Sequence, residues 1–437
     1  MTKQCSQPIR QLPSSVLSWG LLLHLRYIAV LKPNIRFSKF DGDFKKIKLG
    51  KLASKVGSGS TPKGGSSTYV SIGIPLIRSQ NVKDGYLDET DFVKIDLNTH
   101  SKMKSSHVYP NDVLLNITGA SIGRSCVVPK DFIEGNVNQH VCIIRPKNKE
   151  LVSTYLNYYL SSKYGQKQIN ISQAGGGREG LNFEAIRGFN IPITSDTEQQ
   201  KIADFLTAVD TKINQLTEKH RLLKEYKKGV MQQIFSQQLR FKDKDGKAFP
   251  EWKSYPLKKV LSLQSDTLNM LDDETYELIT VKRGFGGVVS RGLFKGKDVL
   301  VKNQFTIHEN EFVISKRQIV HGACGLVPAA LNGAIVSNEY NVFRPVEHLL
   351  DIDYFNRFTT TPLMRRAFFI NSDGVHIEKL LFKTQSWLKT KVTLPCLEEQ
   401  QKIAQFLQAL DSKITAVSEQ IEQTKQFKKG LLQQMFV

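Results

Sequence analysis

The sequence predicts an α+β fold in which two small α/β domains are joined by an antiparallel two-helix coiled coil with pseudo-two-fold symmetry. Three observations support this prediction: a helical segment occurs twice, both copies carry a heptad pattern of apolar residues, and strand-like segments precede each copy. The copies open with the same six residues, Glu198–Ala203 and Glu399–Ala404. A long internal repeat has to be recognised first, because overlooking it misassigns the whole fold.

The repeat extends beyond the two helical segments. Ile35–Phe37 is echoed by Leu239–Phe241, and Ile144–Pro146 is echoed by Phe343–Pro345. Each unit therefore opens at an Arg-Phe pair and closes on its matched helix, while the sequence between these flanks differs almost everywhere. The predicted parts are an unpaired leader of unknown role (1–33), a first domain (34–195), a central spacer helix (196–237), a second domain (238–396) and a C-terminal spacer helix (397–437).

The matched segments are predicted to be long helices that pair with each other. Proline is absent between Glu198 and Phe235, and the apolar residues recur with the spacing of a coiled-coil seam. A pseudo-two-fold axis between the units would make the pair antiparallel. The predicted seam positions are Ile202, Leu206, Val209, Ile213, Leu216 and Leu223 in the first helix and Ile403, Leu407, Leu410, Ile414, Val417 and Ile421 in the second.

The ends of these helices can also be predicted. Asp196 or Thr197 is the expected N-cap of the first helix, because a side-chain oxygen there can accept a hydrogen bond from a free backbone N–H. Gly229 and Gly430 are expected to mark a kink or a fraying end. The alternative is that the segments are two ordinary core helices in separate domains.

Each domain is predicted to contain a twisted sheet and at least one helix. Short apolar runs between turn residues are typical of buried strands. The predicted strands are Gly73–Arg78, Asp112–Ile117 and Val141–Ile144 in the first domain and Glu311–Ser315 and Tyr340–Phe343 in the second; the predicted helices are Leu151–Tyr164 and Ile352–Phe369.

The composition indicates a polyanionic partner. The chain has 437 residues, a net charge of +20 and a sequence pI of about 9.6, which favours nucleic acid first and an anionic membrane second. A solvated basic surface without a partner is the alternative.

The apolar stretch Val16–Leu31 is shorter than the roughly 20 residues that span a bilayer, so no membrane role is expected. The five cysteines are scattered, which argues against a disulfide framework or a zinc site and favours a reducing cytoplasm.

Polar loops of a recurring kind follow the predicted strands of both domains. Arg, Lys, Asn and Gln supply the donors that read guanine and adenine edges in the major groove, while Ser, Thr and exposed backbone amides suit phosphate contacts. For any single residue, solvated loop polarity is the alternative, so the prediction depends on the set. The candidate DNA-binding residues are Lys63, Arg78, Gln80, Asn81, Asn116, Thr118, Ser121, Arg124, Asn138, Gln139 and Arg178 in the first domain and Lys282, Arg283, Lys316, Arg317, Gln318, His321, Asn338 and Tyr340 in the second.

No sequence motif predicts catalysis. Gln173–Gly180 is rich in glycine but lacks the Gly-Lys-Ser/Thr ending of a phosphate-binding loop, and it is interpreted as a connector that carries Arg178. An H-E-x-x-H motif, a convincing nucleophile elbow and an Asn-Pro-Pro-aromatic motif are all absent from the sequence. We therefore expect no catalytic residue, no cofactor and no metal in this chain.

After about Asn34, the layout resembles the specificity subunits of type I restriction-modification enzymes. The most specific elements are Glu198–Leu206 and Glu399–Leu407, each placed after a variable block. The leader 1–33 departs from the family's pattern. The resemblance implies that the variable blocks are target-recognition domains, each reading one half of a bipartite, gapped site in double-stranded DNA. It implies that the helices are an antiparallel spacer, whose length would separate the half-sites by about 34 Å, one turn of DNA.

The resemblance also implies partners. Two methyltransferase (modification) subunits and two restriction (motor-nuclease) subunits would complete the complex, and they would bind S-adenosylmethionine, ATP and Mg. The chain itself would direct adenine methylation and DNA cleavage without catalysing either. Two other functions remain open at this point: a basic coiled-coil scaffold that binds DNA without sequence preference, and a self-contained nuclease or methyltransferase.

Overall fold

The computed structural model describes residues 32–173, 180–374, 376 and 380–437. Nearly all of the predicted leader, and Arg178 with its connector, lie outside the described residues. The contacts divide the chain into two units: the first consists of the residues up to Asp210 together with Gln426–Val437, and the second is Thr211–Lys425.

The first unit is built from short strands and helices. Its strands are β1 (Lys45–Lys48), β2 (Ala53–Ser58), β3 (Ile74–Ile77), β4 (Val93–Ile95), β5 (His107–Val108), β6 (Val113–Asn116), β7 (Ser125–Val127), β8 (Gly135–Val137), β9 (Val141–Pro146) and β10 (Asn190–Ile193). Its helices are α1 (Leu49–Leu52), α2 (Leu97–Lys102), α3 (Ser153–Ser161), α4 (Lys163–Gln173) and α5 (Phe183–Arg187), followed by the start of the long helix α6 (Asp196–Phe235).

Two four-stranded sheets pack together in the first unit. Their strand orders are β2-β9-β6-β7 and β4-β3-β8-β5, and β3 and β8 run parallel. Leu114 of β6 and Ile143 of β9 lie in one core cluster with Ile77 of β3 and Val137 of β8. The neighbouring Val113 is also fully buried, on the other face of its sheet. Burial of both faces explains why these strands read as continuous apolar runs rather than as alternating patterns.

The second unit has a similar inventory. Its strands are β11 (Lys253–Pro256), β12 (Leu261–Gln264), β13 (Thr267–Leu268), β14 (Thr275–Val281), β15 (Val288–Lys295), β16 (Gln304–Thr306), β17 (Phe312–Ser315), β18 (Cys324–Leu326), β19 (Ile335–Ser337), β20 (Tyr340–Pro345), β21 (Ser372–Asp373), β22 (Leu381–Phe382) and β23 (Lys391–Leu394). Its helices are α7 (Ile352–Phe358), α8 (Pro362–Ile370) and α9 (Thr384–Trp387), together with most of α6 and of α10 (Leu397–Gln434).

The second unit repeats the topology of the first. Its sheets have the orders β12-β20-β17-β18 and β13-β16-β19-β14-β15, and the parallel pair β14 and β19 corresponds to β3 and β8. The ribbon of β11 with β23 corresponds to that of β1 with β10. The internal repeat therefore includes the variable blocks, whose sequences differ while the order of their shared strands is the same. The second unit adds β13 at one sheet edge and the β21-β22 pair.

The five predicted strands are confirmed, as β3, β6, β9, β17 and β20. The predictions for the two domain helices are wrong in one respect. The sequence predicts each as a single helix, and each is divided into two. The first is interrupted between α3 and α4 at Ser162. The second is interrupted before Pro362, which lacks an N–H and begins α8, while the Thr361 side chain caps that helix by accepting from the Met364 N–H.

The long helices are uninterrupted. The predicted fraying at Gly229 and Gly430 is wrong, because α6 has 40 residues and α10 has 38, and each continues past its glycine. The alternative, a kink at these glycines, stays a prediction. A single helical glycine costs only about 1 kcal/mol, and the adjacent Val230 and Leu431 are buried. The N-cap prediction is also wrong, because Ser195 Oγ accepts from the Glu198 N–H at 3.3 Å.

The helices pack antiparallel. In the second unit Leu216 clusters with Val417 and Ile421, whereas residues further along α6, Val230 and Ile234, belong to the same cluster as Ile403 near the start of α10. The predicted α+β fold with an antiparallel helix pair is therefore confirmed. Most of the predicted seam residues are buried; Ile213, Leu223 and Ile414 are half-buried.

A buried carboxylate at the start of each long helix binds the Arg-Phe segment that opens the same unit. In the first unit Arg36 donates two hydrogen bonds to Glu198, both at 2.7 Å. In the second unit Arg240 donates to Glu399 at 3.2 and 2.9 Å, and Trp252 Nε1 adds a bond of 3.1 Å. Both carboxylates are buried, so their matched positions are explained by one repeated contact.

The next residue in each repeat joins the helix to the domain core. Gln199 Oε1 accepts from the Val152 N–H at 3.0 Å, and its Nε2 donates to the carbonyl of Glu150. Gln400 repeats this arrangement with the Asp351 N–H at 2.9 Å and the carbonyl of Leu349. The matched Glu-Gln pair therefore fixes the helix start to two separate parts of its own unit.

Replacing Glu399 with Gln should lower the free energy of unfolding by about 3 kcal/mol, because the change removes the buried counter-ion of Arg240. Only the exposed carboxylate of Glu251 would remain, 3.3 Å from Arg240 Nη1. Urea denaturation of the purified chain measures the effect. Gln401→Ala is the matched control, since Gln401 lies two residues away on the exposed face, and it should change stability by less than about 0.5 kcal/mol. Equal midpoints for Glu399→Gln and the wild type would contradict the structural role of the carboxylate.

Asp411 should make stability depend on pH. Burial alone would raise its pKa, but hydrogen bonds and charge from Lys227 and Arg357 outweigh burial and hold the pKa below its usual value. A carboxylate whose pKa falls on folding stabilises the protein above its unfolded pKa of about 3.9 and loses that contribution as pH falls through the folded value.

Asp411→Asn should therefore cost about 1 kcal/mol at pH 7, a modest value because solvent screens a partly exposed pair. Its deficit relative to the wild type should shrink below about pH 4. Thermal melts across this range measure it, with Glu419→Gln on the exposed face of the same helix as the control. A deficit that stays constant with pH would rule out the ionic contribution.

Candidate nucleic-acid interface

The polar loops of the first unit meet at one place. We call residues 57–63, 78–81, 116–124 and 138–140 the first loop cluster. Backbone hydrogen bonds join its segments: the Asn138 N–H donates to the Ile77 carbonyl at 3.0 Å, the Ile117 N–H to His140 at 3.0 Å, and the Gly59 N–H to Asn138 at 3.2 Å. Residues far apart in sequence are therefore held together by the ends of β2, β3, β6 and β8.

Two predicted DNA-binding residues are built into this cluster instead of facing outward. Asn116 is fully buried, and its Nδ2 donates to the Ser79 carbonyl at 2.9 Å and to Ser121 Oγ at 3.1 Å. Asn81 is 1% exposed, and its amide bonds to the Arg78 N–H and to the carbonyls of Asp88 and Asp91. Their side chains shape the loops that carry the neighbouring residues.

A carboxylate orders the strand end at Arg78. Asp91 Oδ2 accepts from Gln80 Nε2 at 2.6 Å and from Arg78 Nη2 at 3.4 Å. Gln80 is exposed and Arg78 is partly exposed. Asp91 could not be identified from the sequence, because nothing in the local pattern indicates that it pairs with side chains 11 and 13 residues earlier.

Further candidates of the first cluster form contacts between its segments. Thr118 shares a hydrogen bond of 2.6 Å with His140 Nδ1, and Gln139 accepts from the Thr61 hydroxyl. Asn138 is 9% exposed, and its Oδ1 accepts from the His140 N–H at 3.0 Å.

Two basic candidates of the first unit are exposed. Lys63 lies in the loop after β2, and Arg124 lies 4.0 Å from Asp84 with its side chain 47% exposed. Cations in such positions can contact phosphate oxygens.

The second unit has an equivalent cluster. We call residues 282–287, 316–322 and 338–340 the second loop cluster. The Lys316 N–H donates to the Glu339 carbonyl at 2.9 Å, and the N–H groups of Gly284 and Phe285 donate to His321 and Gly322 at 2.7 and 2.8 Å. The segment after β17 thus occupies the place that the segment after β6 occupies in the first unit.

Glycine is required at one point of this cluster. Gly322 has φ +74°, and a Cβ there would lie 2.7 Å from the ring of Phe285. The guanidinium of Arg365, from α8, lies 4.5 Å from the centroid of the same ring. Arg365 is a further cation beside the cluster. It could not be identified from the sequence, because Arg365 and Phe285 are far apart in the chain.

The candidates of the second cluster differ in exposure. Lys282, Arg283 and Asn338 are exposed, while Lys316, Gln318, His321 and Tyr340 are partly buried, and burial raises the pKa of the Tyr340 hydroxyl. Arg317 is 59% exposed and forms an ion pair with Glu339, its Nε lying 2.6 Å from Oε2. The structure therefore brings the described candidates of each unit together, some on the surface and some beneath it.

Little in the described part of the chain suggests other chemistry. The described residues contain no group of three or more His, Cys, Asp or Glu side chains that could hold a metal ion. Burial raises the pKa of the Cys126, Cys142 and Cys324 thiols to about 12, so they are protonated at neutral pH. Of the helices among these residues, none is both long enough and apolar enough to cross a membrane.

Two copies of one α/β scaffold, each carrying a polar loop cluster, define a protein with two equivalent α/β modules. A family model described as the type I restriction modification DNA specificity domain matches residues 41–224 and 251–426. The chain therefore belongs to the family of type I restriction-modification specificity subunits, whose members are non-catalytic.

Individual relatives agree with this membership. The chain is 24% identical over 381 residues to the type I restriction enzyme MjaVIII specificity subunit of Methanocaldococcus jannaschii, covering 82% of this chain and 84% of that protein. The S subunit of a type I restriction-modification system from M. genitalium has a similar fold, with a TM-score of 0.54 and 13% identity, covering 93% of this chain and 99% of that one. A chain solved in work on complex assembly and conformational transition of the type I R-M system also has a TM-score of 0.54, with 15% identity, covering 90% and 97% of the two chains.

Substitutions of buried and of exposed candidate residues should differ in their effect on the free energy of unfolding. Asn116→Ala should lower the free energy of unfolding by about 2 kcal/mol, because the Ser79 carbonyl and the Ser121 hydroxyl lose a buried partner. Gln80→Ala, which alters an exposed side chain of the same cluster, should change it by less than about 0.5 kcal/mol. Urea midpoints measure both, and a Gln80 variant as unstable as the Asn116 variant would contradict this division of roles.

Proposed function

We propose that this chain gives DNA sequence specificity to a type I restriction-modification complex. Each loop cluster reads one half of a bipartite, gapped site in double-stranded DNA, and the bound complex then directs adenine methylation and DNA cleavage by its partners. The observation that carries this proposal is the repeat itself, in which one scaffold is used twice and presents different polar side chains at the same strand ends.

The chemistry of the loops supports a DNA ligand. Guanidinium and amide groups can form paired hydrogen bonds with base edges, and Gln80 and Arg317 are exposed members of the two clusters. The net charge of +20 supplies a long-range attraction to phosphates, which favours association but carries no sequence information. Sequence preference must therefore come from the loop side chains and from the shape of the bound DNA.

The long helices support a role as a spacer. A helix of 40 residues extends about 60 Å at 1.5 Å per residue. We propose that the helix pair sets the number of unread bases between the half-sites. We further propose that two methyltransferase subunits and two restriction subunits bind this chain in the cytoplasm, and that those partners bind S-adenosylmethionine, ATP and Mg.

The test is to sequence methylated adenines in DNA from cells that express the chain with its cognate methyltransferase subunit. A bipartite, gapped motif that disappears when the chain is omitted is the expected result. The double variant Gln80→Ala/Arg124→Ala should change the bases accepted in one half-site only, because both residues belong to the first loop cluster.

Lys46→Ala, an exposed substitution in β1, is the control and should leave the motif unchanged. Methylation without any motif, from an assembled and active complex, would favour a non-specific basic scaffold instead. Such a scaffold would bind all duplexes equally, with a steep dependence on salt.

A further inference from the structure

One exposed arginine of the second loop cluster is held in a fixed orientation. Arg317 follows β17, and Glu339 precedes β20, the neighbouring strand of the same sheet. The carboxylate takes the Nε side of the guanidinium: Nε donates to Oε2 at 2.6 Å and Nη2 donates to Oε1 at 3.4 Å. The two backbones are also joined, because the Lys316 N–H donates to the Glu339 carbonyl at 2.9 Å.

This geometry leaves a second hydrogen-bonding edge. A guanidinium is planar and carries five N–H groups, so a carboxylate on the Nε–Nη2 side leaves the Nη1–Nη2 end pointing away from it. That end offers two parallel donors. The pair is accessible to a ligand, since the side chains of Arg317 and Glu339 are 59% and 48% exposed.

We propose that Arg317 reads a guanine in one half-site and that Glu339 is the positioning residue that aims it. The two donors of the Nη1–Nη2 end match the O6 and N7 acceptors that guanine presents in the major groove, an arrangement that the other three bases lack. This inference rests on the proposed function, because it assigns one base contact within a sequence-specific site.

The carboxylate itself favours a base contact over a phosphate contact. A phosphate needs only a nearby positive charge, and Glu339 would weaken such a contact by partly neutralising Arg317 and by repelling the phosphate. A base contact needs a fixed direction, and a carboxylate bound to one side of a guanidinium supplies it by restricting the rotation of a long side chain. An exposed ion pair stabilises the free protein little, so stability alone does not account for the pair.

The test uses the full chain with its cognate methyltransferase subunit and reads the methylated motif for Arg317→Lys, Arg317→Ala and Glu339→Gln. Arg317→Lys keeps the charge but loses the planar fork. We expect both Arg317 variants to lose discrimination at one guanine of one half-site by about tenfold or more, with the other half-site unchanged. Glu339→Gln should relax the same position to a smaller extent. Lys244→Ala, an exposed cation of the same unit outside the cluster, should leave the motif intact.

The outcomes separate the proposals. If the wild-type complex methylates DNA without a gapped motif, the proposed function is overturned. A wild-type motif that Arg317→Lys leaves unchanged, with Arg317→Ala lowering methylation at all sites equally, would reduce Arg317 to a phosphate contact. The positioning role of Glu339 would be overturned if Glu339→Gln lost discrimination at a different base. It would also be overturned if Glu339→Gln kept full discrimination at every base. Thermal melts of each variant, expected to match the wild type, exclude unfolding as the cause.

Discussion

The buried carboxylate at the start of each long helix is the contact on which the rest of each unit depends. Glu198 and Glu399 receive guanidinium groups from the segments that open their own units, and the adjacent glutamines bond to the backbone that leads into α3 and α7. Burying a charge is costly unless it is paired and hydrogen-bonded, so each carboxylate strongly favours one position of its helix. A helix held at its start in this way presents the same face to its own domain in both units, and this explains why Glu-Gln recurs without change while the surrounding domain sequence varies.

Aromatic contacts join the other end of each long helix to a domain. Phe436 packs against Tyr155 at 5.2 Å between ring centroids in the first unit, and Phe235 packs against Tyr354 at 5.7 Å in the second. Each unit therefore contains the beginning of one long helix and the end of the other, joined through its own domain core. Phe235 and Phe436 occupy matched positions of the repeat, as expected if the end of each long helix, like its start, contacts a domain.

Much of the fold could be predicted from the sequence, and what escaped prediction has physical reasons. The strand runs were readable because burial on both faces removes alternation, as at Leu114 and Val113, and the seam was readable because heptad spacing is a property of one helix. The break before Pro362 was overlooked because an apolar pattern continues across it while the backbone N–H does not. The burial of Asn116 and Asn81 could not be predicted. An asparagine in a loop can donate to backbone carbonyls inside the fold or face solvent, and the sequence does not distinguish the two cases. The partners Asp91 and Glu339 also escaped prediction, because their positions depend on which strands are adjacent.

The separation between backbone and side-chain contacts explains how such a scaffold can carry different exposed side chains. The loops of both clusters are joined mainly by backbone hydrogen bonds, such as Ile117 to His140 in the first and Lys316 to Glu339 in the second. Because these bonds use groups that every residue except proline supplies in full, the loops can keep their positions when exposed side chains change. Buried residues such as Asn116 then constrain the loop shape, and exposed residues such as Arg317 can differ between the two clusters without altering that shape. A scaffold of this kind can present different side chains at its surface without a matching change in its core.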